Sequence, residues 1–419
     1  MTLVEVMVAM FVFAIISTLV LSSLLQIVSL TQHSRSQHAA ANLAAAEIEL
    51  ALDTPDLFAL LNETRDVTVN GTTFHVNRET AWVSDAGGVA SCGGGGGSLR
   101  FKRVHVTVTW DGMRDSAEPV RSDTIINPAE RINDPSKGTV LVSVIDSLGE
   151  GVSGASVRLA ATSGGATIPA VTTDAQGCAY FLQVPTGTYD VSVSKTGYTG
   201  ILVETPQQRD VSVQAGSSTT IGLQYDLAAR FDITFAAGTT VRMPSSMPLS
   251  LLSTYGVRTI TLPSANARQT IATHPRVSYR VAAGPFQQAS GAECAAIDPT
   301  SWLEGTVGGE QLGPGAAPEL SAEPGATAAL DVPMGLVRVP NGITSLRAHS
   351  TTGRAEDPTC DATIQLSYSN VQRNDVIAVP FGTWRFTTAG GSSVSVELVS
   401  RGATVSSNTV TLDPREVAP

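Results

Sequence analysis

The first thirty residues, MTLVEVMVAMFVFAIISTLVLSSLLQIVSL, hold one ionisable side chain, Glu5, in an otherwise apolar or hydroxyl-bearing run. Such a run exceeds the roughly eighteen apolar residues that a helix needs to cross a bilayer. No Gly or Pro occurs before Pro55, so the helix is expected to continue through HSRSQHAAANLAAAEIELALD. At about 1.5 Å per residue this makes a rod of roughly 80 Å, with a transmembrane half and an amphipathic half. A secretory signal peptide is not expected, because a basic leading region and a small-residue cleavage site are both missing. A lone carboxylate in hydrocarbon must be neutralised or paired, and the nearest candidate cation is an α-amino group. Pairing Glu5 with the Met1 amine of a neighbouring copy would fix the axial stagger of packed helices. The alternative is a Glu5 at an interface that reaches water.

The residues TLVEVMVAM resemble the start of a mature type IV pilin or pseudopilin. The resemblance is strong over residues 1–55 and loose over 56–130, and it implies several things that composition does not. A leader is removed by a prepilin peptidase and the new N-terminus, here Met1, is methylated. The subunit resides in the cytoplasmic membrane as a single-pass protein among membrane lipid. An inner-membrane platform then assembles it with other copies, or other pilins, into a helical filament at the cell surface. Met1 departs from the Phe usual at that position, and Ala14 and Ser22 stand near the helix-loosening Gly and Pro of many relatives.

Composition argues in the same direction. With 15% charged residues, a net charge of −11 and lysine only at 102, 137 and 195, the chain lacks the basic surface that nucleic-acid binding needs. The 38 Gly and 22 Pro, among many Val and Thr, suit short strands joined by tight turns. No G-x-S-x-G, P-loop, H-E-x-x-H or dinucleotide fingerprint occurs, so no catalytic residue and no cofactor is expected. The carboxylates Glu47, Glu49 and Asp53 are read as a solvated helix face. Cys92, Cys178, Cys294 and Cys360 form no C-x-x-C pattern and the six histidines are scattered, so a metal site is not expected. In an oxidising location two disulfides are expected, from three connectivities. Cys294–Cys360 is favoured because both lie in the C-terminal region, and Cys92–Cys178 follows by elimination. Free thiols are the alternative for that second pair.

After the helix, Val67–Val69 and Phe74–Val76 alternate around Asn70-Gly71, a dipeptide suited to a type I′ hairpin turn. A glycine run, Gly93–Gly97, precedes a half-buried strand in LRFKRVHVTVTWDG. His75 and His105 sit on these strands, most simply as surface residues. Residues 126–138 carry two prolines and mixed charges without periodicity, and 131–138 is taken as the linker. From Thr139 the pieces VLVSVID, VSGASVRL, Thr173–Gly177 and VPTGTYDVSVSKTGY resemble a carboxypeptidase-regulatory-like, or collagen-adhesin B-type, module. That resemblance implies a transthyretin-like β-sandwich acting as a rigid spacer or adhesive support. The sequence VPTGTYDVSV (184–193) recurs as VPFGTWRFTT (379–388), which suggests a second sandwich with an insertion around 286–330. Trp302 in that insertion is a candidate partner contact, or else folds onto its own domain.

The fold expected is therefore α+β, a long N-terminal helix followed by a multi-domain antiparallel β head. The domains are residues 1–54 (helix), 55–130 (pilin-like head), 139–225 (sandwich) and 226–419 (C-terminal β domain). The function expected is a structural, non-enzymatic subunit of a surface filament. The alternatives are a low-copy tip subunit that primes assembly or binds a surface ligand, and a pseudopilin of a secretion or DNA-uptake system.

Overall fold

Helix α1 spans Leu3–Leu52 without interruption in a computed structural model that describes residues 3–84, 89–90, 92, 99–114, 117–128, 134–205, 207–262, 266–288, 290–354, 357–400, 403–406 and 408–415. Met1, the glycine run at 93–97 and the first three linker residues lie outside the described residues. Of Glu5 only the backbone, within α1, is described, so the Glu5–Met1 pairing lies outside them too. Thr54 and Pro55 end the helix: a residue before proline is pushed out of helical backbone, and Thr54 caps the last turn by donating to the Leu50 carbonyl at 3.0 Å.

The expected α+β class with a transmembrane half needs correction. The structure is mostly β, with 48% of it in strands and 12% in helix. Among the described residues, no helix is long and apolar enough to cross a membrane. The long helix itself is present, and so is the multi-domain β head.

The chain divides into two compact units. One comprises Met1–Val144, Glu150–Ser192 and Gln207–Gly222; the other comprises Ile145–Gly149, Val193–Pro206 and Leu223–Pro419. In the first unit, β1 (Glu63–Val69), β2 (Thr72–Ser84), β3 (Val89–Ala90), β4 (Leu99–Trp110) and β5 (Val120–Ile126) form a sheet ordered β1-β2-β4-β5, with β3 on β2. Asn70 (φ 51°) and Gly71 (φ 81°) close the β1–β2 hairpin in the left-handed pair that a type I′ turn requires. Alternation puts Phe74, Val76, Trp82, Val104, Val106 and Val108 on one buried face. Ala40, Ala44 and Ala51 of α1 share that core, and their small side chains let the helix backbone approach the sheet closely.

The next strands are β6 (Gly138–Ile145), β7 (Ser156–Ser163), β8 (Val171–Thr172), β9 (Cys178–Val184), β10 (Gly187–Ser194), β11 (Tyr198–Gly200), β12 (Gln207–Val213) and β13 (Ser218–Leu227). They make two four-stranded sheets, β12-β10-β7-β8 and β11-β13-β6-β9. Tyr189, Val191 and Val193 of β10 and Val140, Val142 and Val144 of β6 are fully buried, the alternation of a two-sheet core.

In the second unit, β14 (Ala229–Phe235), β15 (Met247–Ser253), β16 (Gly256–Leu262), β17 (Arg268–Thr273), β18 (Tyr279–Ala283), β19 (Gly305–Val307), β20 (Glu310–Leu312), β21 (Glu319–Leu320) and β22 (Thr327–Val332) come first. They give sheets β17-β14-β22 and β16-β15-β18-β21, with β19–β20 as a separate hairpin. Then follow β23 (Gly335–Arg338), β24 (Ser345–Ser350), β25 (Gln365–Ser369), β26 (Val376–Val379), β27 (Gly382–Thr387), β28 (Glu397–Leu398), β29 (Thr404–Ser406) and β30 (Thr409–Leu412), in sheets β26-β23-β28 and β25-β24-β27-β30-β29.

These last strands repeat the order of the earlier module. The pair β6–β9 with the run β10-β7-β8 corresponds to the pair β23–β26 with the run β27-β24-β25. The two V-P-x-G-T-aromatic segments do the same work in each: the chain leaves one sheet at Val184 or Val379 and enters the other at Gly187 or Gly382. The aromatic residue locks the corner by donating back to the proline carbonyl, Tyr189 Oη to Pro185 at 2.9 Å and Trp384 Nε1 to Pro380 at 2.9 Å. Gly187 (φ 155°) and Gly382 (φ 124°) supply backbone that a residue with a Cβ rarely adopts. The closing strands differ in chain order. The strand beside the first-named pair is β13, the last of the module, but β28 in the repeat.

The segment around 286–330 precedes β23, so it is not an insertion into this second sandwich. It holds two short 3₁₀ turns, Ala295–Ile297 and Pro299–Ser301, and the β19–β20 hairpin.

Candidate assembly helix and its seat on the sheet

Helix α1 has two halves with opposite surroundings. In the first, Met10, Phe11, Phe13 and Leu19 are exposed, Phe11 at 69% and Phe13 at 72%, in a stretch that is apolar on all sides. Its hydroxyls do not make a polar face. Thr18 and Ser22 donate to the carbonyls of Ile15 and Leu19 at 2.8 Å each, and Ser23 donates to the same Leu19 carbonyl at 2.9 Å, so they turn back onto the backbone. A helix apolar all round is stable in water only when something covers it.

The second half is seated by charge as well as by packing. Glu47, read from the sequence as part of a solvated face, is 1% exposed. Its carboxylate accepts from Arg78 Nη1 at 2.6 Å and from Arg65 Nη2 at 2.7 Å and Nε at 3.2 Å. Arg78 in turn donates Nη2 to Glu63 at 2.7 Å and Nε to the Leu61 carbonyl at 3.1 Å. Two strand arginines therefore grip one helix carboxylate, and no buried side-chain polar atom of the grip is left without a partner, which is the condition for a buried pair to be tolerated. Glu49 and Asp53 stay exposed, as a solvated face requires.

Lys102 adds a second polar contact beneath the helix end. It is 1% exposed and donates Nζ to the Leu57 carbonyl at 2.7 Å, with Nζ 5.3 Å from the centre of the Trp82 ring. Burial pushes its pKa down to about 8, partly offset by the Asp174 and Asp56 carboxylates. Together these contacts hold residues 40–60 to the sheet, while residues 7–30 carry no comparable partner within the described residues.

The other residues singled out in the sequence fall as follows. Cys92 joins Cys178, and Cys294 joins Cys360, with no free cysteine. Trp302 is 0% exposed, donates Nε1 to the Ala296 carbonyl at 2.8 Å and lies 5.2 Å beneath the Arg415 guanidinium. It is thus a core residue of its own unit and not a surface for a partner. A loop of Gly, Pro and Ala hides this because the guanidinium that covers the ring, that of Arg415, comes from far along the chain. His75 and His105 do not meet: His105 pairs in register with Glu79, four residues from His75 on the same strand. His75 bridges Asp66 at 2.7 Å and Asp111 at 3.3 Å, hydrogen bonds that raise its pKa, and His105 lies 2.6 Å from Asp123. Among the described residues no group of three or more His, Cys, Asp or Glu side chains could hold a metal.

The strongest signals missed from sequence are Arg65 and Arg78. Both point inward on strands that otherwise alternate polar and apolar residues, and an arginine on the apolar face is the clue.

Comparison with known proteins gives one family and several structures. Residues 139–226 match the carboxypeptidase regulatory-like domain. No curated protein matches the chain. Among solved structures, the TIE protein of Bacillus anthracis is 10% identical, covering 86% of this chain and 72% of that one, at a TM-score of 0.21. The major pilin subunit of Bacillus cereus is 10% identical, covering 66% of this chain and 95% of that one, also at 0.21. The minor pilin of the Gram-positive pathogen Streptococcus agalactiae is 12% identical, covering 47% and 94%, at 0.19. Likenesses at such TM-scores do not extend to a common fold. What the comparisons establish is the middle module: residues 139–226 are similar to the carboxypeptidase regulatory-like domain.

Proposed function

We propose that this chain is a structural subunit of a cell-surface filament and that it polymerises through the first half of α1. The observation that carries the reading is the division of that helix. Residues 40–52 are fixed to a sheet by the Glu47–Arg78–Arg65 grip, while Phe11, Phe13 and their neighbours offer an all-round apolar surface to solvent. Other copies of the same helix are the simplest cover for it, because identical apolar rods can surround one another and leave no face bare. The start TLVEVMVAM favours the type IV class of such subunits, with Glu5 as a register residue. The β-modules form the head of the subunit.

The test is direct. Filaments are sheared from cells that make the chain and compared with those from cells making Phe11→Ser/Phe13→Ser. The reading predicts filaments from the first and at least a tenfold lower yield from the second, with the head melting unchanged. Equal yields would overturn it.

A second reading concerns copy number. The β-rich part that follows the helix, residues 55–419, is large for a repeating subunit, which favours a specialised subunit present in few copies. Quantitative mass spectrometry of the sheared fraction decides this, since a major subunit would dominate the protein mass.

A further inference from the structure

The strand pair β6–β9 has two faces, and both are covered. One carries Val140, Val142, Ala179 and Phe181, the inner side of its own two-sheet core. Alternation sends Leu141, Cys178 and Tyr180 to the other side, where Leu141 lies opposite Tyr180 in the register and is 1% exposed. In a free-standing sandwich that side would meet water. Here Leu141 belongs to the core of the sheet β1–β5 and its helix, together with Phe74, Trp82 and Val104, and Tyr180 packs against the same core. Phe58, in the stretch between α1 and β1, stands between Trp82 and Tyr180, with ring centroids 4.8 and 4.7 Å away. The Cys92–Cys178 bond lies beside this stack. Cys92 comes two residues after Ala90, the register partner of Trp82, and Cys178 comes two residues before Tyr180 on the same side of β9.

The polar groups of this contact are poorly matched. Trp82 Nε1, Tyr180 Oη and Asp174 Oδ2 are buried without a hydrogen-bond partner among the described residues. Closing the face therefore costs an orphaned group or a trapped water at each of them. Asp174 is placed by its own turn, Oδ1 accepting from the N–H groups of Gln176 and Cys178 at 2.9 Å each, and its charge acts on Lys102 of β4. Apolar burial favours closure, the unmatched polar groups oppose it, and a covalent bond beside them settles the balance. We propose that Cys92–Cys178 is a latch that holds strands β6 and β9 against the sheet β1–β5, so that these strands move as one body with the helix seat and do not swing on residues 131–138. The proposal does not depend on the filament reading.

A cross-link keeps two surfaces at a high effective concentration whatever the length of chain between them. With the latch closed, tension that enters at α1 and leaves beyond Cys178 passes through the two sulfurs, and the intervening chain, a separation of 86 residues, carries none of it. Cys92 and Cys178 are 2% and 1% exposed, so a thiol reaches the bond only after the face has opened, and a closed latch resists reduction.

The experiment is hydroxyl-radical footprinting of the full chain, read at Leu141 and Tyr180, with the buried Tyr368 and Trp384 as references away from the latch. Cys92→Ala/Cys178→Ala is expected to raise oxidation at least tenfold at Leu141 and at least twofold at the partly covered Tyr180. The references should stay within twofold, and the far-ultraviolet signal of β-structure should persist. A second variant keeps both cysteines and lengthens the linker by about twelve Gly and Ser residues between positions 131 and 132. The latch, not the linker, then sets the contact, so oxidation at Leu141 and Tyr180 should change by less than twofold. A smaller rise in the cysteine variant would overturn the proposal, because packing alone would then hold the face. A larger change on lengthening the linker would overturn it too. Loss of the β signal in the cysteine variant would do the same, since the bond would then maintain the fold and not the contact.

Discussion

Replacing Glu47 by Gln isolates the charge in the helix seat while keeping its shape. In the native chain the carboxylate is 1% exposed and receives hydrogen bonds from Arg78 Nη1 at 2.6 Å and Arg65 Nη2 at 2.7 Å. Gln offers one acceptor oxygen and turns an N–H₂ donor toward a guanidinium that can only donate. Breaking a buried pair by removing one charge costs about 3–5 kcal/mol. The Arg65 side chain is 39% exposed and can turn to water, so the low end applies, about 3 kcal/mol. Hydrogen exchange of the amides of residues 40–52 in the detergent-solubilised full chain reads this locally. A loss of about 3 kcal/mol corresponds to roughly 150-fold faster exchange through opening of the seat. Glu49→Gln, on the exposed face, serves as the control and is expected to change exchange by less than about twofold. Acceleration of less than about fivefold for Glu47→Gln, or equal effects of the two substitutions, would refute the view that the grip seats the helix.

Three further outcomes are expected. Lys102 titrates at about 8 in the fold against 10.5 unfolded, so its burial penalty is complete below pH 8 and is relieved as pH rises toward 10.5. Stability relative to Lys102→Met should therefore rise by up to about 3 kcal/mol over that window in urea titrations, and a flat difference would contradict it. Opening Cys294–Cys360, which closes 66 residues, by Cys294→Ala/Cys360→Ala should cost about 4 kcal/mol in the same assay. Tyr189→Phe removes the donor from the Pro185 carbonyl and should cost about 1–2 kcal/mol. An unchanged midpoint would mean the corner does not depend on that bond.

Local sequence carried much of the architecture. Freedom from Gly and Pro set α1, Asn70-Gly71 set the first hairpin, and V-P-x-G-T-aromatic marked two corners that are alike in bonding and in the sheets they connect. What escaped was whatever depends on distant residues. Glu47 looks like any solvated helix acid until Arg65 and Arg78 arrive from strands 18 and 31 residues away. Trp302 looks exposed in a Gly- and Pro-rich stretch until Arg415 stacks on its ring and the Ala296 carbonyl takes its N–H. The membrane half of the helix was inferred from hydropathy alone, a measure that records how apolar a segment is and not what covers it.

The central claim is that copies of this chain meet through α1. Helical reconstruction of filaments isolated from cells that make it tests this most directly. The account predicts density for residues 10–24 of each copy packed among the same residues of its neighbours along the filament axis, with the β-modules outside. Filaments joined through the β-modules, with α1 away from any other copy, would contradict it.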